Sequence, residues 1–164
     1  MESLYRAAAG AVIVTLTLSL QCAGMGALIY WARAYFARSI YRLGPVPSAM
    51  LMVRFTSVIV VLHLLQILLW AAFYRWSGVP SWESAFYLST ANYSTVGAGD
   101  VALPPAWRSL GPLESITGVL MCGLSASMLF ALVLRLIQRE ARVAPQPART
   151  TGNNIEDLGS DRAA

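Results

Sequence analysis

Charged residues are scarce in this chain of 164 residues. They make up 12% of the sequence, while apolar residues make up 57%. A soluble domain carries about 25% charged residues. The same balance excludes a disordered chain, because disorder needs low hydrophobicity and high charge. The composition therefore predicts a membrane protein.

Lysine is absent, so all twelve basic residues are arginine and the formal net charge is +4. Without a lysine, the chain cannot carry the phosphate-binding loop that places Lys after its glycines. No catalytic grouping of His, Ser and carboxylate residues is recognisable, so we expect no enzyme activity, cofactor or small-molecule substrate. The small basic excess is spread among apolar runs and does not indicate nucleic-acid binding.

Uncharged runs divide the sequence into candidate membrane spans. Residues 7–32, 55–74 and 115–134 contain no charge, and a helix needs about 20 apolar residues to cross the hydrocarbon core. We predict transmembrane helices near 8–31, 55–74 and 115–134. A cleaved signal peptide is the alternative for the first run. However, the charge of Glu2 offsets that of Arg6, so the first residues have no net positive charge, and the run is longer than the apolar region of a signal peptide.

The arginines indicate how the spans are oriented. The segment 32–54 contains Arg33, Arg38, Arg42 and Arg54 and no acidic residue. Cytoplasmic loops of membrane proteins are enriched in arginine and lysine. We therefore predict that this arginine-rich loop and the C-terminus are cytoplasmic, and that the N-terminus and the 75–114 loop face outward.

The segment between the second and third spans combines a short apolar helix with alternating glycines. Ser81 is a predicted N-cap for the aromatic-rich stretch 82–94. That stretch is too short to span a bilayer, which is typical of re-entrant segments. The next residues are Thr95-Val96-Gly97-Ala98-Gly99-Asp100. Glycine permits backbone conformations closed to other residues, and backbone carbonyls can replace the hydration shell of a cation.

This hexapeptide resembles the potassium-channel signature Thr-Val-Gly-Tyr-Gly-Asp. The order of span, pore helix, filter and inner helix matches as well, and the resemblance covers residues 52–137. The stretch 101–114 is similar to a bacterial branch of two-helix pore channels with one extra N-terminal helix. The resemblance implies an all-α membrane protein of the bacterial inner membrane. It would have three transmembrane helices, a re-entrant pore helix and a filter loop.

The family's functional positions can be carried over to this sequence. Because one chain supplies one pore loop, four chains are expected to form a homotetramer around one axis in the lipid bilayer. Potassium, or alternatively sodium, would be coordinated by the carbonyls of Thr95, Val96, Gly97 and Ala98. Gly99 would complete the filter, and Asp100 would attract cations at its outer mouth.

The filter departs from the signature at one position. Ala98 replaces the family's tyrosine, and Tyr87 and Leu88 replace its pore-helix tryptophan pair. An aromatic brace behind the filter is therefore missing, although Tyr87 or Trp82 could fill the gap. We expect a potassium-conducting channel. The alternatives are a weakly selective cation channel and a non-conducting membrane subunit that modulates a partner.

Four further residues of the spans have two interpretations each. Gly118 and Gly123 of the third span could be gating hinges or could allow close helix packing. His63 and Gln66 lie on one face of the second span and are candidates for a functional polar site. For these two we favour a structural hydrogen bond to a neighbouring helix or to the pore helix.

Three regions are predicted along the chain. Residues 1–51 would contain the N-terminal transmembrane helix and the arginine-rich cytoplasmic loop. Residues 52–140 would form the pore domain. The tail 141–164 is rich in Pro, Gly, Asn and Thr, and we predict that it is disordered and cytoplasmic.

Overall fold

A computed structural model describes residues 1–38, 45–97, 99 and 101–143. These residues form helices joined by short connections and contain no strand. In chain order the elements are α1 (Glu2–Arg38), α2 (Pro45–Trp76), α3 (Trp82–Tyr93), a 3-10 helix (Pro105–Trp107) and α4 (Leu110–Val143).

Three of these helices are long and apolar enough to cross a membrane. The candidate spans are Leu4–Ala37, Val46–Trp76 and Pro105–Gln138. Each contains one of the spans predicted from the uncharged runs. The shorter α3 lies between the second and third spans, where the sequence predicts the re-entrant helix. The predicted all-α membrane fold is therefore confirmed for the single chain.

The arginine-rich segment that connects the first two spans is helical over much of its length. Helix α1 continues to Arg38 and α2 begins at Pro45. Arg33 and Arg54 consequently lie on helices. Arginine can extend its apolar stem along a helix end and keep its charge at the interface, so the charge does not end the helix. Pro45 stands at the first helical position, where its missing N–H costs no hydrogen bond.

At its other end the chain also stays helical beyond the predicted boundary. Helix α4 runs to Val143, three residues past the predicted end of the pore domain at 140. The remainder of the predicted tail, residues 144–164, lies outside the described residues, as does Arg42 of the segment between α1 and α2.

Apolar side chains pack at both ends of the helix bundle. We call the end of the bundle near residues 94–109 the filter end. There a cluster buries Ile13 of α1, Trp70 and Tyr74 of α2 and Leu88 of α3, together with residues of the adjoining segments. At the opposite end, the arginine end, α1, α2 and α4 bury a second cluster, namely Leu28, Ala32, Phe36, Leu51, Phe55, Ile59 and Leu132. Helix α1 thus packs against both helices of the predicted pore domain.

Close contact between α1 and α2 depends on a glycine. A Cβ at Gly24 would lie 2.7 Å from the side chain of Leu62, so no larger residue fits without movement of that leucine. Most of the apolar surface of the spans nevertheless remains uncovered, because only 22%, 33% and 28% of their most apolar windows are buried in one chain. This surface is suited to contact with lipid or with further chains.

Candidate ion-conduction site

Helix α3 begins at the predicted cap. The Ser81 hydroxyl accepts a hydrogen bond from the backbone N–H of Ser84 at 3.0 Å, which satisfies one of the free donors at the helix start. Glu83 lies in the first turn, where a carboxylate interacts favourably with the helix dipole. The N-cap prediction is confirmed.

The filter segment folds back onto the C-terminal end of α3. The N–H of Thr95 donates to the carbonyl of Asn92 at 2.9 Å, and the N–H of Gly97 donates to the carbonyl of Ala91 at 3.0 Å. Both bonds satisfy carbonyls that the helix end would otherwise leave free. The end of α3 therefore fixes where the filter segment starts.

Two residues of this segment have positive φ angles. Gly97 has φ 76°, which glycine adopts readily, but Thr95 has φ 65°. For a β-branched residue this conformation is an outlier and costs about 1–2 kcal/mol. Strained backbone of this kind clusters at functional sites. The strain at Thr95 thus marks the same segment that the sequence motif marks.

The described filter residues lie together and are open to the surroundings of the single chain. Thr95, Val96, Gly97 and Gly99 are all exposed, and Val96 is 80% exposed. Two predicted site residues, Ala98 and Asp100, lie outside the described residues.

Behind α3 lies a group of buried polar residues that we call the carboxyl cluster: Tyr74, Ser89, Asn92 and Glu114. The Glu114 side chain is 0% exposed. Its Oε2 accepts from the Tyr74 hydroxyl at 2.5 Å, and its Oε1 accepts from the Ser89 hydroxyl at 2.6 Å. Asn92 Nδ2 donates to the Tyr74 hydroxyl at 3.4 Å. A single carboxyl group of α4 therefore joins α2 to α3.

A second buried group, which we call the polar ring, consists of Gln21, His63, Gln66, Tyr93 and Ser125. The Tyr93 hydroxyl donates to Gln66 Oε1 at 2.6 Å, and Gln66 Nε2 donates to Gln21 Oε1 at 2.6 Å. Gln21 Nε2 donates to the Ser125 hydroxyl at 3.0 Å. His63 closes the ring, with Nδ1 2.7 Å from the Tyr93 hydroxyl and Nε2 3.1 Å from Ser125 Oγ.

The hydrogen bonds of the polar ring run in one direction. The single hydroxyl proton of Tyr93 is directed at Gln66, so Tyr93 accepts from His63 Nδ1–H. His63 Nε2 is then the acceptor for the Ser125 hydroxyl. Each side chain donates one bond and accepts one, which satisfies five polar groups inside the bundle without any charge. The structural hydrogen bonds expected for His63 and Gln66 are confirmed.

The two candidate glycines of α4 have different surroundings. A Cβ at Gly118 would collide with the carbonyl oxygen of Tyr93, whereas a Cβ at Gly123 would meet nothing within 4 Å. Ser115, one turn before Gly118, donates to the carbonyl of Asn92 at 2.7 Å. Gly118 thus permits α4 to approach the end of α3, as the packing interpretation requires. At Gly123 no such contact is present.

The aromatic residues considered as substitutes for the missing tyrosine point away from their own chain. Tyr87 is 47% exposed and Trp82 is 61% exposed, while Leu88 is buried. Neither aromatic side chain therefore packs in the interior of its own chain. Any contact that they make with a filter would have to involve another chain.

Sequence reasoning missed most members of both polar groups. It assigned no contact to Glu114, which directly precedes the charge-free run 115–134, and it did not single out Gln21, Tyr74 or Tyr93. One available signal was the depth of Gln21 within an apolar run, because a polar residue inside a span needs a partner. The partner itself, Ser125, lies far along the chain and follows from no local pattern.

Comparison with known proteins agrees with this geometry. The family model described as Ion channel, which represents two-transmembrane pore-loop channels, matches residues 51–135. The match includes most of α2, all of α3, the filter segment and most of α4, and it leaves α1 outside. No curated protein and no solved structure matches the chain. Since the family model covers more than half of the sequence, the chain belongs to this ion channel family.

Proposed function

We propose that this protein is a passive potassium channel formed by four identical chains. The observation that carries the proposal is the filter segment: the residues of the Thr-Val-Gly-x-Gly-Asp motif directly follow a capped, half-buried short helix. Carbonyls of Thr95, Val96, Gly97 and Ala98 would coordinate dehydrated potassium, Gly99 would complete the filter, and Asp100 would lie at its outer mouth. No residue is assigned a catalytic role.

Several features of the single chain support this assembly. The filter residues are exposed, and the spans leave most of their apolar surface uncovered. Four copies around an axis at the filter would cover much of that surface and complete a ring of carbonyls. The arginine distribution supports a cytoplasmic C-terminus and an outward-facing filter. By the bacterial resemblance, the membrane would be the inner membrane.

Weak selectivity is a second candidate function, favoured by Ala98. Without a tyrosine at this position, the filter lacks the side chain that would hold its outer part at a fixed width. Selectivity that depends on a snug fit would then fall, whereas selectivity that depends on carbonyl number would persist. The two candidates differ in the ratio of potassium to sodium flux.

Flux from liposomes containing the purified protein tests the proposal. We expect potassium efflux to exceed sodium efflux measured in parallel at equal gradients. Thr95→Ala should alter or abolish the flux while the tetramer still forms, and Thr56→Ala on the exposed face of α2 should leave flux unchanged. Equal flux for both ions would establish the weakly selective channel, and unchanged flux in Thr95→Ala would refute the carbonyl filter.

Substitution of the missing tyrosine tests the origin of selectivity. Ala98→Tyr should increase the ratio of potassium to sodium flux, and an equal ratio before and after would remove the argument from the brace. A protein that forms no tetramers and passes no ion would instead be the non-conducting partner subunit considered above.

A further inference from the structure

A groove at the arginine end lies between α1 and α4. It has a volume of about 230 Å³, and its walls are mainly apolar, with Ile29, Phe36 and Leu132 at the sides and Phe55 of α2 at the base. This space suits a segment of an acyl chain, because dry apolar cavities bind apolar groups and exclude water. The groove lies outside the filter and both polar groups.

Two arginines line the same groove. Arg33 of α1 and Arg135 of α4 are both exposed, and no acidic residue lies among the described residues of the lining. A guanidinium group presents a fork of donors that matches a phosphate group. The groove therefore combines an apolar base with a doubly charged rim of one sign.

The depth of the arginines fits a phospholipid. Arg33 lies near the end of the candidate span Leu4–Ala37, and Arg135 lies near the end of Pro105–Gln138. Both therefore stand where a membrane-spanning helix reaches the headgroup region. A ligand that matches both features carries a negatively charged group near the span ends and an apolar part that extends toward the bilayer centre.

We propose that the groove binds an anionic phospholipid, with one acyl chain against Phe55 and the headgroup phosphate between Arg33 and Arg135. Basic pockets between transmembrane helices hold such headgroups. A zwitterionic lipid carries its own cation, which offsets the attraction to the two arginines. Since α1 lies outside the family match, the site depends on the helix that this chain adds to the pore domain.

Tryptophan fluorescence can report occupancy of this groove. The ring centroid of Trp31 lies 5.4 Å from that of Phe55 at the base. The other tryptophans of the chain, Trp70, Trp76, Trp82 and Trp107, lie in the half of the bundle nearer the filter end. The difference in signal between the protein and its Trp31→Phe variant therefore isolates the groove.

The full chain would be placed in phosphatidylcholine vesicles that contain a small, fixed fraction of a lipid brominated on its acyl chains. Bromine quenches tryptophan on contact. We expect brominated phosphatidylglycerol to quench Trp31 more than brominated phosphatidylcholine at the same fraction. Each arginine should contribute roughly five-fold to the preference, and the pair roughly thirty-fold. Equal quenching by the two lipids would overturn the proposal.

Substitutions distinguish the contribution of the two arginine charges from that of the apolar groove. The double variant Arg33→Gln with Arg135→Gln should abolish the preference, and Arg108→Gln, which removes one exposed arginine at the filter end, should retain it. Ala131→Phe, which places a large side chain in the lining, should lower quenching while the arginines remain. A preference that survives the double variant would refute the site.

Soluble anions provide the remaining comparison. Inorganic phosphate shares the headgroup chemistry but has no acyl chain, so it should not displace brominated phosphatidylglycerol from Trp31. Displacement at millimolar phosphate would mean that the arginines bind a free anion, and the lipid assignment would be wrong. These measurements need no ion gradient, so their outcome is independent of whether the channel conducts.

Discussion

The carboxyl cluster and the polar ring both hold α3 in place behind the filter segment, and they do so by different means. The carboxyl cluster gathers two hydroxyl donors onto the buried carboxyl group of Glu114. The polar ring contains no acidic group and passes hydrogen bonds around a closed path. The first group joins α2, α3 and α4, and the second adds α1 through Gln21.

The two polar groups also differ in the part of the chain that they connect: one lies wholly within the pore domain, and the other links α1 to it. Every member of the carboxyl cluster lies within the segment matched by the ion channel family, 51–135. The polar ring extends beyond that segment and connects α1 to Tyr93, two residues before Thr95. A buried carboxyl group thus holds the pore helix within its own domain, while hydrogen bonds among amide, hydroxyl and imidazole groups attach the extra helix near the start of the filter.

The largest effect should follow removal of the buried carboxyl group. Glu114→Met keeps the length of the side chain but leaves the Tyr74 hydroxyl without its acceptor, whereas the Ser89 hydroxyl loses one bond and keeps the carbonyl of Ile67. A buried unsatisfied group costs about 1–3 kcal/mol and a lost hydrogen bond about 0.5–1.5 kcal/mol, so we expect a loss of about 1.5–4.5 kcal/mol in the free energy of unfolding. Denaturation by sodium dodecyl sulfate, followed by circular dichroism, measures this loss.

Glu114→Gln is the matched control for that substitution. The amide oxygen can still accept from Tyr74, and the amide N–H can donate to Ser89, whose own proton remains bonded to the carbonyl of Ile67 at 2.9 Å. We therefore expect the Gln variant to keep most of its stability. If Glu114→Met and Glu114→Gln lower the free energy of unfolding by the same amount, the hydrogen bonds of the carboxyl cluster do not hold the pore helix.

Removal of one tyrosine hydroxyl from each group compares the two directly. Tyr74→Phe deprives a buried carboxyl group of a donor, which costs about 1.5–3 kcal/mol. Tyr93→Phe breaks neutral bonds within the membrane, where measured values average about 0.6 kcal/mol and reach about 1.7 kcal/mol. The same unfolding assay applied to both variants should rank Tyr74→Phe as the more destabilised. The reverse order would contradict our assignment of the stronger anchor.

Gly118 lies on α4 between Glu114 of the carboxyl cluster and Ser125 of the polar ring. Its substitution should have an effect of intermediate size. Gly118→Ala places a methyl group against the carbonyl of Tyr93, and such overpacking costs about 1–3 kcal/mol. Gly123→Ala enters open space and should gain up to about 1 kcal/mol from helix propensity. Thermal unfolding midpoints should therefore move in opposite directions. If the unfolding midpoints of both variants shifted in the same direction, Gly118 would not be needed for close packing of α4 against α3.

The sequence predicted those features that depend on local pattern. Charge-free runs located the three spans, and Ser81 located the start of α3, because both signals lie within a few residues of the structure they determine. Helices α1 and α2 extend beyond their charge-free runs, because arginine at a helix end does not stop the helix.

Contacts between distant parts of the chain could not be predicted in the same way. Glu114 directly precedes the charge-free run 115–134, but its burial depends on Tyr74 and Ser89 of two other helices. The polar ring joins Gln21 to Ser125 across most of the chain. Hydrophobic periodicity specifies which face of a helix is buried but not which polar side chain of another helix will meet it.

The smallest expected effect concerns the link between α1 and α2. Gln21→Met and Gln66→Met each open the polar ring, and each should cost about 1 kcal/mol. Because the two amides share one hydrogen bond and one closed path, the double variant should lose less than the sum of the single variants, with a coupling of about 0.5–1 kcal/mol. Gln21→Met combined with Glu114→Gln should be additive, since Glu114 belongs to the other group. Strict additivity of Gln21 and Gln66 in the unfolding assay would mean that the two amides act independently and that the five side chains do not form one cooperative path.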